Sequence, residues 1–122
     1  MTEYAFSIPA SLQLFRLCAA HPDNDEYWAL FIRRFNPLLA RSVAVTWRRY
    51  GQGNWPPAEV AEDLLQEIYV TILKNDARLL RSFQGATEAE AQSYLAQMAI
   101  NQTLSYLQSH PRLKQSAEVP SW

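Results

Sequence analysis

The sequence contains few of the residues on which small catalytic or metal-binding domains depend. Its 122 residues include one cysteine, two histidines and three glycines. The single Cys18 cannot form an internal disulfide, and His21 and His110 leave too few soft ligands for a zinc site. There is also no glycine-rich phosphate loop and no Ser-His-Asp set. We therefore expect no enzyme activity, no metal and no cofactor.

Neither an excess of charge nor a long apolar run is present. Eleven Lys and Arg against twelve Asp and Glu leave a net charge of -1, so any contact with nucleic acid requires a local patch. The longest uncharged stretch, Ala91 to Pro111, is too rich in Gln, Asn and Ser to span a bilayer, and no export signal opens the chain. We expect a soluble, cytoplasmic protein with no membrane partner, whose length fits one domain around one core.

Apolar residues at helical spacing, interrupted by Pro and Gly, predict four helices and no strands. The first predicted helix spans about 10–20, and the second runs from the acidic cluster at 23–26 to about 50. The third and fourth span 58–75 and 88–109, and a short turn lies at 77–80. Pro37 predicts a kink or a break near 33–36. Thr87 and Glu90 have the spacing of a capping box. The predicted fold class is all-α: a compact bundle of three long helices plus a short N-terminal helix over 1–111, followed by a tail or linker at 112–122.

The two central segments carry the stripes that we predict to form the core. In the second segment the stripe comprises Trp28, Phe31, Ile32, Phe35, Leu38, Leu39, Val43 and Trp47. In the third it comprises Val60, Leu64, Leu65, Ile68, Ile72 and Leu73. The first turns of the third segment also hold a run of acidic and amide residues between Glu59 and Glu67. A helix dipole favours negative charge there, so we expect an acidic, partly exposed face.

Three segments in the second half of the chain occur in a characteristic order and spacing. Residues 61–73 read AEDLLQEIYVTIL, residues 82–85 read SFQG and residues 94–101 read YLAQMAIN. They resemble the AEDLxQExF, SFxG and WLxxIAxN segments in region two of bacterial RNA polymerase sigma factors of the extracytoplasmic-function type. The positions that match as they stand are Glu62, Asp63, Gln66, Glu67, Phe83, Gly85, Leu95, Ala99 and Asn101.

Further positions extend this resemblance over most of the chain. Tyr69, Tyr94 and Met98 stand where the family has Phe, Trp and Ile. The stretch 30–39, including Pro37, resembles the first helix of the family's region two. The resemblance therefore covers about 28–109.

The resemblance implies a surface that docks on the clamp helices of the largest subunit of core RNA polymerase. The residues that correspond to it are Glu62, Asp63, Gln66 and Glu67. Acidic and amide groups would meet basic groups there, and complementary charge would orient docking more than it sets affinity. Without the family context, the same residues are equally well read as an ordinary solvated helix face.

The resemblance also implies a surface that binds promoter DNA, the single-stranded minus-ten element. A flipped base would enter a pocket between the loop before the last helix and that helix, with Phe83, Met98 and Asn101 as its walls and Gln84 in the loop. An unstacked base is held by an apolar or aromatic wall and an amide. From the residues alone, Phe83 and Met98 are equally typical of a helical core.

The last helix departs from the family pattern because it carries no cation. No Lys or Arg occurs between Arg81 and Arg112, and Ser105, Gln108 and Ser109 replace an Asp and an Arg-rich end. Phosphate contacts would have to come from the candidates Arg48, Arg49, Arg78, Arg81, Arg112 and Lys114. We therefore expect weak DNA affinity outside a polymerase complex.

The sequence contains no helix-turn-helix domain of the kind that the family carries as region four. Together with the uncharged last helix, this leaves a second interpretation open. The chain would then be a sigma-like interaction module that binds polymerase, an anti-sigma protein or its own copy without opening promoters. Apolar and aromatic residues on more than one face of the last helix would suit such a partner.

Overall fold

The computed structural model describes residues 9–51 and 55–110, which form four α-helices. Helix α1 spans Ala10–Ala20, α2 spans Asp25–Tyr50, α3 spans Ala58–Arg81 and α4 spans Glu88–Ser109. No β-strand occurs in these two ranges, so the predicted all-α class is confirmed for them. The tail predicted at 112–122, which includes Arg112 and Lys114, lies outside the described residues.

Side-chain caps fix where two of the helices begin. The Asn24 side chain accepts a hydrogen bond from the Tyr27 amide at 3.0 Å, at the acidic cluster that predicted this start. At α4 the Glu90 amide donates to Thr87 Oγ1, and the Thr87 amide donates to Glu90 Oε1, both at 3.1 Å. The capping box predicted at Thr87 and Glu90 is therefore confirmed.

The helices share one core whose centre is aromatic. The Phe15 ring of α1 lies 6.1 Å from Phe31 and 5.8 Å from Phe35 of α2, and Phe31 and Phe35 are 4.7 Å apart. All three side chains are buried, and burial of each contributes roughly 1.5–3 kcal/mol relative to exposure. Helix α4 contributes a buried residue at every fourth position: Ala91, Leu95, Ala99, Thr103 and Leu107.

Helix α2 continues through Pro37 without the break that the sequence predicts. It is a single helix of 26 residues with Pro37 inside it. Pro37 and Arg33 are exposed, so the carbonyl that loses its helical partner lies on the solvent side, where water can satisfy it. Of the kink or break predicted near 33–36, the break is therefore wrong, because the helix is held by its buried face, and the kink stays a prediction.

Two residues predicted to lie in the core are exposed. Ile32 of α2 and Leu73 of α3 are each 43% exposed, whereas their neighbours Phe31 and Ile72 are fully buried. Both lie at the edge of an apolar stripe that is wider than the space available between the helices. The periodicity thus located the buried face correctly but overestimated its width.

Helix α3 contains a left-handed turn between two helical parts. Lys74 has an extended ψ of 140°, and Asn75, Asp76 and Ala77 have φ between 55° and 60°. The helix predicted to end near Asn75 does leave helical geometry there. The predicted turn at 77–80 is wrong beyond Ala77, because the chain is helical again to Arg81. Burial of Ala77 and Leu80 in the core fixes this second part.

Replacing Phe31 with Ala tests the aromatic centre of the core. We expect Phe31→Ala to lower the free energy of unfolding by about 3–5 kcal/mol, because a large buried ring is removed and the cavity cannot fully close. Urea denaturation followed by far-ultraviolet circular dichroism measures this change. Leu30→Ala is the matched control, since Leu30 is the preceding residue and is 45% exposed. A similar loss in both variants would contradict the assigned core.

Replacing Asp76 with Gly tests the strain in the left-handed turn. We expect Asp76→Gly to raise the free energy of unfolding by about 0.5–1 kcal/mol, because glycine adopts positive φ without a Cβ clash. The control Ser93→Gly, at an exposed helical position of α4, should instead lower stability by about 0.5 kcal/mol. Thermal or urea denaturation distinguishes the two, and destabilisation by both would refute the strained turn.

Candidate functional site

The first candidate surface is the acidic ridge, which we define as Glu59, Glu62, Asp63, Gln66 and Glu67 of α3. All five side chains are exposed, as the sequence predicts. Among the described residues none of them takes part in an ion pair. The ridge therefore presents uncompensated negative charge on the first turns of α3, where the helix dipole stabilises it.

Contacts on the opposite side of α3 fix this helix so that the acidic ridge faces solvent. Leu64, Ile68 and Ile72 are buried in the core. The Tyr69 hydroxyl donates to Asn36 Oδ1 at 2.7 Å and so joins α3 to α2. Burial raises the pKa of Tyr69 to about 12, which keeps this hydroxyl a donor at any physiological pH.

A groove of about 430 Å³ separates the acidic ridge from the end of α4. Asp63, Gln66 and Glu67 form one wall, and the α4 side contributes Gln102, Ser105, Tyr106, Ser109 and His110. The Tyr106 and His110 rings stack with centroids 4.1 Å apart and an interplanar angle of 15°. The carboxylates can accept hydrogen bonds from a guanidinium group, while one of the stacked rings covers the flat face of that group.

The sequence analysis did not identify the α4 wall of this groove. Gln102, Tyr106 and His110 are spaced four residues apart and therefore lie on one side of a helix. That spacing was visible in the sequence, but nothing local indicates that this side faces the acidic ridge. Only the packing of α4 against α3 brings the two walls together.

The second candidate surface begins at the loop 82–87 between α3 and α4. Phe83 is half-buried, with its ring 5.3 Å from Phe15 and 4.7 Å from Tyr94. The Tyr94 hydroxyl donates to the Leu79 carbonyl at 2.8 Å. A Cβ at Gly85 would overlap the Phe83 ring, so this glycine allows the loop to close over it.

Phe83 lines a groove of about 370 Å³ that faces α1. The other lining residues include Leu12, Phe15 and Arg81. Gln84 is exposed beside it. Arg81 donates to the carbonyls of Asp76 and Asn75 at 3.1 and 3.2 Å, so its guanidinium braces the left-handed turn. Of the predicted DNA-binding residues, the structure thus brings Phe83 and Arg81 into one groove.

The remaining predicted DNA-binding residues lie further along α4. Met98 is half-buried against the core, whereas Asn101 is exposed and accepts a hydrogen bond from Gln97 Nε2 at 2.9 Å. Asn101 is seven residues beyond Tyr94, which is about 10 Å along a helix. A single pocket that combines Phe83, Met98 and Asn101 stays a prediction, and Arg112 lies outside the described residues.

A polar junction joins three helices at the start of α4. The Glu88 carboxylate accepts hydrogen bonds from the Ser11 amide at 3.0 Å and from the Ser11 hydroxyl. It also accepts from Arg34 Nη2 at 3.0 Å and from Gln92 Nε2 at 2.8 Å. Burial raises the pKa of Glu88, but the hydrogen bonds from Ser11, Gln92 and Arg34 outweigh it and lower the pKa to about 2. The sequence analysis missed this junction.

The described ranges, 9–51 and 55–110, contain neither a metal-binding cluster nor a membrane-spanning helix. No group of three or more His, Cys, Asp or Glu side chains there is placed to hold a metal ion. No helix in these ranges is long and apolar enough to cross a membrane. Cys18 is buried, which raises the pKa of its thiol to about 11.

Comparison of the chain with protein-family models, with curated proteins and with solved structures returned no match.

Replacing Glu88 with Gln tests the polar junction through its pH dependence. The pKa of Glu88 is lowered from 4.5 to about 2, so its stabilising contribution is complete above pH 4.5 and is lost as the pH falls toward 2. Because the side chain is 35% exposed, we expect Glu88→Gln to cost only about 1 kcal/mol at pH 7.

The measurement is the melting temperature between pH 7 and pH 2. The gap between wild type and Glu88→Gln should close below about pH 3, because wild-type Glu88 is then increasingly protonated. Glu67→Gln, an exposed acid of α3 beyond its first turn, is the control and should have the melting temperature of the wild type at every pH. A gap that is independent of pH would contradict the ionised junction.

Proposed function

We propose that this chain is a sigma factor domain that binds core RNA polymerase and recognises the melted minus-ten promoter strand in transcription initiation. It acts by binding and not by catalysis. The resemblance of the three segments in the second half of the chain motivates the proposal. The observation that carries it is the acidic ridge, whose predicted docking residues are all exposed and free of ion pairs within the described structure.

The docking step follows from the groove beside the acidic ridge. Asp63, Gln66 and Glu67 face the Tyr106 and His110 stack across it. A basic side chain from the clamp helices of the polymerase largest subunit would be held by the carboxylates and would lie against a ring. Opposite charges on the two surfaces would speed and orient this encounter.

In the proposed recognition, the single strand contacts two patches, one at the loop 82–87 and one on α4. Phe83 offers an aromatic edge at the loop, and Asn101 with Gln97 offers exposed amides about 10 Å further along α4. A single strand whose bases are unstacked can contact both patches, with one base at the aromatic and another at the amides. The proposal therefore involves more than one nucleotide.

A second candidate function is a sigma-like interaction module that binds polymerase, an anti-sigma protein or its own copy without opening promoters. Exposed apolar side chains favour it. Val70 and Leu73, which are 58% and 43% exposed, follow Gln66 and Glu67 along α3 and extend the ridge into an apolar surface. Exposed apolar residues beside charged ones are typical of a protein-binding face.

Two substitutions test the proposed function with core polymerase and a fluorescent non-template oligonucleotide. We expect Asp63→Arg to reduce polymerase binding at least tenfold, because it places a cation in the acidic groove. Asn101→Ala should leave polymerase binding unchanged and weaken capture of the oligonucleotide about five- to tenfold, which corresponds to the loss of one or two hydrogen bonds. Co-purification and fluorescence anisotropy measure the two effects.

Asp23→Arg is the control, since it makes the same charge reversal at an exposed acid that precedes α2 and lies outside the ridge. It should behave as the wild type in both assays. Loss of polymerase binding by Asp63→Arg together with normal capture by Asn101→Ala would favour the interaction module. Normal polymerase binding by Asp63→Arg would refute the proposed docking surface.

A further inference from the structure

The exposed side of α2 carries a dense set of cations. Beyond Glu26 the helix contains no acidic residue and five arginines: Arg33, Arg34, Arg41, Arg48 and Arg49. All five are exposed. The chain has a net charge of -1, so this concentration is balanced by acids elsewhere, notably in the acidic ridge of α3. The two signs of charge are therefore segregated on different helices.

Three of these arginines form a straight row. Arg34, Arg41 and Arg48 are spaced seven residues apart, so they share one stripe of the helix and span about 21 Å. Arg34 is engaged by Glu88 at 3.0 Å. Arg41 and Arg49 form no ion pair with another described residue. Among the described residues, Arg41 and Arg49 thus contribute net positive charge to this side of α2.

An exposed tryptophan lies at the basic end of this row. Trp55 is 62% exposed, and the guanidinium carbon of Arg48 lies 4.9 Å from its ring centroid. The core gains little from an indole placed there. An exposed aromatic ring beside a track of arginines is the arrangement that binds single-stranded nucleic acid, because cations hold the phosphates and the ring stacks on a base.

The row also borders α4, the helix that offers amides but no cations. Arg34, Pro37, Leu38 and Arg41 of α2 line a groove of about 410 Å³ together with Gln92 of α4. Within α4 there is no Lys or Arg at all. Helix α2 can therefore supply the phosphate contacts that α4 lacks.

We propose that Arg41, Arg48, Arg49 and Trp55 form a second nucleic-acid-binding surface, which holds the phosphate backbone of a single strand and stacks one base on the indole. An anionic membrane fits this surface less well, because its exposed apolar side chains, Val45, Tyr50 and Trp55, include a single aliphatic one and offer little to insert. The site requires neither polymerase nor Asn101, so it extends the proposed function without depending on the acidic ridge.

The test is fluorescence anisotropy of the full chain, without polymerase, with a labelled 20-nucleotide oligothymidine. We expect a Kd in the micromolar range at 50 mM salt, weakening as salt rises. Arg41→Gln/Arg48→Gln should weaken binding about tenfold and make the logarithmic salt slope shallower by about 0.7 for each arginine lost. Trp55→Ala should weaken binding at least fivefold and leave the slope unchanged, because stacking releases no counterions.

The control is Lys74→Gln, which removes one exposed positive charge from α3 outside both proposed strand-binding surfaces and is compared with the single variant Arg41→Gln. The control should bind as the wild type, and circular dichroism checks that every variant is folded. Wild-type affinity in Arg41→Gln/Arg48→Gln would overturn the proposal. Normal oligonucleotide binding by Trp55→Ala, together with competition by heparin or polyglutamate as strong as that by the oligonucleotide, would also overturn the proposal. That result would show a surface that binds any polyanion. Tighter binding to anionic phosphatidylserine vesicles than to the oligonucleotide would likewise overturn it.

The two proposals fail separately. Normal polymerase binding by Asp63→Arg refutes the proposed docking function and leaves oligonucleotide binding by α2 unaffected. Normal oligonucleotide binding by the α2 variants refutes the second surface and leaves polymerase docking unaffected.

Discussion

The packing of Phe15 at the centre of the aromatic cluster joins α1 to α2, to the loop 82–87 and to α4. Its ring contacts Phe31 and Phe35 of α2, Phe83 of the loop and Tyr94 of α4. One residue of the short α1 therefore holds α2, the loop and α4 in register. Because interiors are densely packed, a change at this centre would move the loop and the start of α4 together. The aromatic cluster thus fixes how α1, α2, the loop and the start of α4 meet.

The distribution of charge is the second organising feature. The net charge of -1 conceals an uneven distribution of charge, because acidic residues are concentrated in the first half of α3 and arginines in α2. Helix α4, in contrast, has no charged residue from Ala91 to its end. Such segregation produces local fields of opposite sign that steer different partners to different faces. The proposed protein partner and the proposed single strand would therefore use different surfaces.

The left-handed turn in α3 shows how strain is held near a functional surface. Positive φ costs Ala77 about 1–2 kcal/mol, whereas Asn75 and Asp76 adopt it at lower cost because their short polar side chains tolerate this region. Burial of Ala77 and Leu80 and the two bonds from Arg81 to the Asn75 and Asp76 carbonyls offset this cost. Arg81 is therefore occupied in bracing the backbone. In the proposed second surface, the phosphate contacts come from α2.

Local interactions determined what the sequence by itself could predict. The four helices, the capping box at Thr87 and the exposure of the acidic ridge depend on residues within about four positions of one another, which the sequence shows directly. The bond between Ser11 and Glu88 joins residues 77 apart, and the wall that Tyr106 adds to the groove depends on how α4 meets α3. The unbroken path of α2 through Pro37 and the left-handed turn at 75–77 likewise depend on burial against distant helices. Only the tertiary structure decided these features, because their energies come from contacts that no local pattern encodes.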